Sequence, residues 1–382
     1  MHHNKNWSPE LDGLRGFASL WVLLGHICIL TQCNIPILSN PGLGVDLFIL
    51  LSGYLMTKNY IERQHKEPWT SSRTIFSFWA RRFFRIAPLY YILLIVAFLF
   101  GENIGHFRDV IATVWPVTQT ETARYRDSSI INIITHISFT FGLLPYYSFR
   151  TVLPDWSIGL EMQYYALFPF IMLLTMRLGF ATISLILMLL CAVAAYVLPE
   201  YFSAFPMPSM ILFKLPLFIA GMLIYKAVSE HKKIYILIAM IAPFIALVIK
   251  LSISYKQVII EEMLILGMMT LLIEHKASSP LKRIVDAVRN LLSLPVSQFL
   301  GDVSYSVYLL HLMIVIPVIG VLIQYTDFEN LSATLRFVIP TAIITPVTYI
   351  IGANLYKYIE RSGIAIGRKL ISQHSNKEKE MA

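Results

Sequence analysis

Leu11–His26, LDGLRGFASLWVLLGH, is apolar enough to open a membrane-spanning helix, yet it carries Asp12, Arg15 and His26. Ionisable groups inside a bilayer are costly and point to function by default. Arg15 and His26 are eleven residues apart; at about 100° per residue they fall within roughly 20° of one helical face, about 16 Å apart along the axis. Ser19 and Leu23 lie near that line, and Gly16 and Ala18 would admit a close neighbour, helix or ligand. A cation at one mouth and an imidazole at depth suit a long ligand with an anionic end and a reactive end. A structural reading also fits, with Arg15 snorkelling to the interface and His26 hydrogen-bonded between helices.

Composition around this stretch sets the class. Of 382 residues, 56% are hydrophobic and 14% charged, and the mean hydropathy is +0.64, far from the balance of a soluble globular chain. The chain reads as an all-α polytopic membrane protein with about ten transmembrane helices. They are expected over 14–33, 41–57, 84–101, 157–176, 179–198, 209–225, 234–250, 257–273, 300–324 and 335–356. Residues 1–360 are expected to form the transmembrane domain and 361–382 a solvated cytoplasmic tail. Met1–Glu10 is polar, contains Pro9 and is followed by no small-residue cleavage site, so the first apolar run reads as a retained span rather than a signal peptide.

With a cytoplasmic N-terminus, most of the 31 Lys and Arg fall on cytoplasmic loops. Arg108, Arg124, Arg126, Arg150, Lys250, Lys256 and Arg336 then lie outside, and Lys214 lies inside a span. The positive-inside rule accordingly puts both termini in the cytoplasm. The net charge of +8 marks loops rather than a nucleic-acid partner. Ile130–Phe149 is apolar enough to suggest one more span, but counting it would invert every later loop; it reads as a re-entrant or interfacial segment. Cys28, Cys33 and Cys191 show no metal-type spacing and read as packing residues. No metal site is expected.

Three further segments carry chemistry. WARRFFRIAPLYY, Trp79–Tyr91, clusters Arg81, Arg82 and Arg85 at the inner end of the third span. Arg82 and Arg85, at i and i+3, share a face and can bind phosphate through bidentate hydrogen bonds; ordinary positive-inside anchoring is the alternative. PDWSIGLEMQYYALFPF, Pro154–Phe170, places Glu161 inside the fourth span, and GLGVDLFILLSGYLM, Gly42–Met56, places Asp46 at a comparable depth in the second. His26, Asp46 and Glu161 are therefore expected in one layer. His311, in GDVSYSVYLLH, reads as a hydrogen-bonded packing histidine, with a second acid/base or acceptor-binding role as the alternative.

Taken in order, these elements resemble the acyltransferase-3 family of integral membrane O-acyltransferases. The matching elements are Arg15 with ten residues before His26, GVDLFILLSGYLM, the Arg82–Arg85 pair in RRFFRIAPLYY, DWSIGLEMQYY, SYSVYLLH ending at His311, and KLPLFIAGM, Lys214–Met222, where the family more often begins with Arg. The resemblance implies transfer of an acyl group, usually acetyl from cytoplasmic acetyl-CoA, to a hydroxyl of a sugar or lipid-linked glycan of the cell envelope. It also implies a bacterial inner (cytoplasmic) membrane. Arg15, Arg82 and Arg85 would bind the donor. His26 would act as general base, oriented by Asp46 or Glu161, with a covalent acyl-histidine as the other route. A transporter using Arg15, His26 and Glu161 as an ion or proton pathway is the reading from another class.

Overall fold

Every regular element among the described residues is helical. The computed structural model describes residues 8–249, 255–275 and 279–381. Lys5, Lys276 and the end of the seventh expected span at Lys250 lie outside the described residues. The order is α1 (Pro9–Thr31), α2 (Pro41–Glu62), α3 (Ser72–Val114), the short α4 (Ala123–Arg126) and α5 (Ile130–Ile137), α6 (Trp156–Leu178), α7 (Phe180–Val197), α8 (Pro199–Ser203) and α9 (Leu215–Glu230). There follow α10 (Lys233–Ala239), α11 (Ala242–Val248), α12 (Tyr255–Leu272), α13 (Pro280–Leu292), α14 (Pro295–Asp302), α15 (Ser304–Leu310), α16 (Leu312–Tyr325), α17 (Ala333–Leu355) and, after one π turn, α18 (Arg361–Met381).

Five of these are long and apolar enough to cross a membrane: Pro9–Thr31, Ser72–Val114, Trp156–Leu178, Phe180–Val197 and the continuous run Ala333–Gln373. The bent pair α15 and α16, meeting at 47°, makes a sixth if it is one span. Outward faces are apolar, with Leu99 70% and Leu189 63% exposed, as a surface that meets lipid requires. The protein is an integral membrane protein.

Among the described residues fewer than ten helices are this long and apolar, for reasons visible in the residues. Asp46 and Lys58 dilute α2, and Lys256, Glu261 and Glu262 dilute α12. A 3₁₀ turn at Ile211–Phe213 shortens the sixth expected span to α9, and the seventh is broken between α10 and α11. Two helices exceed their expected lengths by the widest margins. α3 runs on to Val114, and α17 continues through Tyr356–Glu360 into α18, where Gly363 and Gly367 let α18 lie against Phe84 and Pro88 of α3. Ile130–Phe149 forms no spanning helix: α5 ends at Ile137, and Phe139 takes the left-handed conformation with φ 59°.

α1 is the central helix, packed on α2, α14, α15 and α17. Gly16 meets Gly301 of α14 backbone to backbone, the close approach its small size allows. α2 and α9 cross in the same way at Gly53 and Gly221, where a Cβ on Gly53 would strike the Phe218 carbonyl oxygen and one on Gly221 that of Leu50. Backbone cannot swing aside as a side chain can. Gly53→Val is therefore expected to lower the unfolding temperature in detergent, costing about 1–3 kcal/mol or more from overpacking. Gly267→Ala, where a Cβ meets nothing within 4 Å, should instead be neutral or stabilising by up to about 1 kcal/mol through helix propensity. Equal melting of Gly53→Val and wild type would refute the close crossing.

Candidate active site

A polar cavity of about 210 Å³ opens near the N-terminal end of α1 and is lined by Asp12, Arg15, Ser52, Arg82, Arg85, Glu161 and Tyr165, among others. The arginine cluster divides on this cavity. Arg81 is committed to Glu67 by a two-pronged contact, Nη1 to Oε1 at 3.0 Å and Nη2 to Oε2 at 2.6 Å, so its charge is already matched. Arg82 and Arg85, one helical turn apart, face the cavity with Arg15 from α1. The Arg82 guanidinium lies over the Tyr165 ring at 5.6 Å and the Phe78 ring at 5.9 Å, while its buried Nε has no hydrogen-bond partner. Arg15 has one weak ion pair, 3.9 Å to Asp12. Glu161 accepts from the Tyr165 hydroxyl and from Ser52 Oγ at 3.4 Å. Three guanidinium groups face two carboxylates, Asp12 and Glu161, and leave a cavity with one surplus positive charge, suited to an anion.

From Arg15, Ser52 and Glu161 the space narrows to a neck of about 70 Å³ between Phe48, Ser157, Tyr305 and Tyr308. At its wall, the Tyr308 hydroxyl lies 2.6 Å from Ser157 Oγ and 2.9 Å from the carbonyl oxygen of Pro154. On the other side is a second cavity of about 180 Å³, lined by His26, Arg108, Thr120, Arg124, Phe149, Pro154, Trp156 and Met207, with Leu312 and Ile316 at its wall. Pro154 and Trp156 are presented by a buried turn anchored on Asp155, which accepts from Thr151 Oγ1 at 2.8 Å and the Tyr90 hydroxyl at 3.3 Å and faces His136 Nε2 at 3.6 Å.

His26 is not alone in the second cavity wall. Its Nδ1 lies 2.9 Å from the Val22 carbonyl oxygen and 3.1 Å from His311 Nε2. His311 Nδ1 in turn lies 2.5 Å from the Tyr308 carbonyl oxygen. Carbonyl oxygens only accept, so in the neutral pair each Nδ1 carries the hydrogen. The single Nδ1–H of His26 is then shared between the Val22 carbonyl oxygen and His311 Nε2, and the lone pair on His26 Nε2 is left for a substrate. An imidazole whose other nitrogen is held in this way is poised as a base, because the imidazolium formed keeps its donor contact. The same contact explains the bend between α15 and α16. In a straight helix the Tyr308 carbonyl would accept from Leu312 N–H; here it accepts from the His311 side chain, and the helix breaks at that residue.

The arrangement differs from a single layer of His26, Asp46 and Glu161. Among the described residues, His26 shares neither a hydrogen bond nor a cavity with either carboxylate. Glu161 belongs to the arginine cavity. Asp46, 1% exposed, pairs with Lys214 Nζ at 2.6 Å, and Lys214 also lies 3.6 Å from Glu261 Oε1. His311 was legible as a hydrogen-bonded histidine, but its partner was not. Arg108 and Arg124 carried no signal beyond their place outside the expected spans.

A family model described as an acyltransferase domain matches residues 8–353, nearly the whole chain. The chain belongs to the acyltransferase-3 family. The chain is 28% identical over 179 residues to the O-acetyltransferase OatA of Staphylococcus aureus strain NCTC 8325 / PS 47, and the same holds for OatA of strain MRSA252. The match covers 44% of this chain and 25% of each relative, so the chain spans about a quarter of the length of these relatives. No solved structure matches it.

Proposed function

We propose that the protein transfers an acetyl group from acetyl-CoA to a hydroxyl of a cell-envelope or exported glycan, with both termini in the cytoplasm of a bacterial inner membrane. The observation that carries this reading is the pair of cavities reached from one helix. One holds three guanidinium groups against two carboxylates, the other exposes a histidine lone pair, and a neck lies between them. The phosphates of CoA suit Arg15, Arg82 and Arg85, and the unpartnered Arg82 Nε is a donor still to be satisfied. The pantetheine arm would follow the neck past Ser52 and the Tyr308–Ser157–Pro154 contact for the thioester to reach His26.

In the reaction, His26 Nε2 takes the hydroxyl proton as the acceptor oxygen bonds to the thioester carbonyl carbon. The tetrahedral intermediate collapses with cleavage of the C–S bond, and the departing sulfur takes the proton back from the imidazolium, giving an acetate ester and free CoA. His311 acts as a positioning residue through His26 Nδ1. Glu161 orients the arginine cavity rather than the histidine, and Asp46 serves the buried ion cluster with Lys214 and Glu261.

Donor binding to the purified protein in nanodiscs, with CoA release followed as free thiol, tests the reading. Wild type is expected to bind acetyl-CoA. Arg82→Gln, which removes a charge-assisted contact of about 1.5–3 kcal/mol, is expected to weaken the donor about 10- to 100-fold while leaving dephosphorylated pantetheine thioesters unaffected. No binding of acetyl-CoA to wild type would overturn the reading and return the ionisable groups to the transport reading.

A further inference from the structure

The cavity on the His26 side holds two arginines that the transfer chemistry does not use. Arg108 and Arg124 are 8% and 6% exposed, and among the described residues neither forms an ion pair. Other arginines of this region do. Arg126 reaches Asp109 at 3.7 Å and Glu102 at 3.9 Å, and Arg150 reaches Glu121 at 3.2 Å. Glu102, Asp109 and Glu121 are thus matched to arginines that are more exposed than the two in the cavity, and Asp155, held by Thr151, Tyr90 and His136, acts on Arg124 only at longer range. A buried charge without a counter-ion is costly.

Both guanidinium groups are nonetheless fixed. Arg108 Nη2 donates to the Thr118 carbonyl oxygen. Arg124 Nε donates to the Thr151 carbonyl oxygen at 3.0 Å and Nη2 to that of Val152 at 3.5 Å, with the guanidinium 3.7 Å over the Phe149 ring. Carbonyl dipoles and a ring orient these cations without neutralising them. Donor and acceptor capacity remains unused in the same wall: Arg108 Nε and Thr120 Oγ1 are buried with no hydrogen-bond partner. Trp156 and Phe149 add aromatic surface to the cavity.

We propose that this cavity binds an anionic group of the acceptor, a carboxylate or a phosphate, between Arg108 and Arg124, with an acceptor hydroxyl turned to His26. The inference rests on the acyl-transfer reading for the word acceptor, and on the two arginines alone for the anion. The anion has two chemical sources. An acidic sugar supplies a carboxylate within the glycan, and a lipid-linked glycan supplies phosphate at its reducing end.

The test is equilibrium binding of three soluble probes to the purified full-length protein in nanodiscs: methyl glucuronide, glucose 1-phosphate and the neutral methyl glucoside. At least one anionic probe is expected to bind about tenfold or more tighter than methyl glucoside, as a charge-assisted contact implies. Arg124→Gln and Arg108→Gln should each weaken that probe about 10- to 100-fold. Arg124→Lys, which keeps the charge, should restore part of the loss, and acetyl-CoA affinity should be unchanged in all three variants. Preference for the glucuronide assigns the site to an acidic sugar, and preference for the sugar phosphate assigns it to a lipid-linked carrier. Equal affinity for the neutral and anionic probes, unchanged anion affinity in both Gln variants, failure of both anions to bind, or a parallel loss of acetyl-CoA affinity would each overturn the proposal. Because the readout is binding, an intact anion site in a protein that fails to release CoA would sink the acyl-transfer reading alone.

Discussion

His26→Ala is expected to lower acceptor-dependent CoA release about 10²- to 10⁴-fold, the range that removal of a general base commands, with acetyl-CoA affinity within about twofold of wild type. The separation follows from the geometry. His26 faces the cavity of Trp156 and Arg124, while the arginines assigned to the donor line the cavity at the other end of α1. Single-turnover rates and donor titration on the same preparation check both halves. His311→Ala should fall between wild type and His26→Ala, since it leaves the base but frees the ring that His311 Nε2 now meets at 3.1 Å. Added imidazole should restore part of the rate in His26→Ala, because the truncation leaves room in an existing cavity, and should restore less in His311→Ala, whose base is still present. Turnover of His26→Ala within tenfold of wild type would remove the histidine from the chemistry.

How far this site could be read from the sequence depended on whether its parts lie on one helix. Arg15 and His26 share a face of α1, and Arg82 and Arg85 share a face of α3, so helical period alone placed each pair. Relations between helices were out of reach. Nothing local to Asp46 shows that its neighbour is Lys214 rather than His26, and a matching depth in the membrane is weak guidance when several helices meet at that depth. The bend at His311 was equally hidden, since it arises from a side chain taking a carbonyl from the backbone ladder, while GDVSYSVYLLH has no Pro near the break. The largest errors at helix ends were overruns. α3 and α17 outrun their apolar cores because beyond the hydrocarbon a helix loses only its apolar environment and keeps its internal hydrogen bonds.

Lys214→Met is expected to lose folded protein, because it leaves two buried carboxylates facing one another. Asp46 and Glu261 are 1% and 2% exposed, and the Lys214 ammonium stands between them at 2.6 and 3.6 Å. Removing one partner from a buried ion cluster typically costs about 3–5 kcal/mol, a large part of the stability of an ordinary domain. Asp46→Leu should be milder, since Glu261 remains to meet the lysine. The double change Asp46→Leu with Lys214→Met leaves a single carboxyl that can take up a proton, so it should melt above Lys214→Met alone. Thermal unfolding followed by size exclusion in detergent separates these cases, and the comparison also decides the role of Asp46. A structural ion cluster predicts that activity tracks the folded fraction across the three variants, with normal turnover per folded molecule. A fully folded Asp46→Leu that binds acetyl-CoA and does not turn over would instead place Asp46 in the chemistry, acting on His26 through a rearrangement that brings α2 and α1 closer at that level.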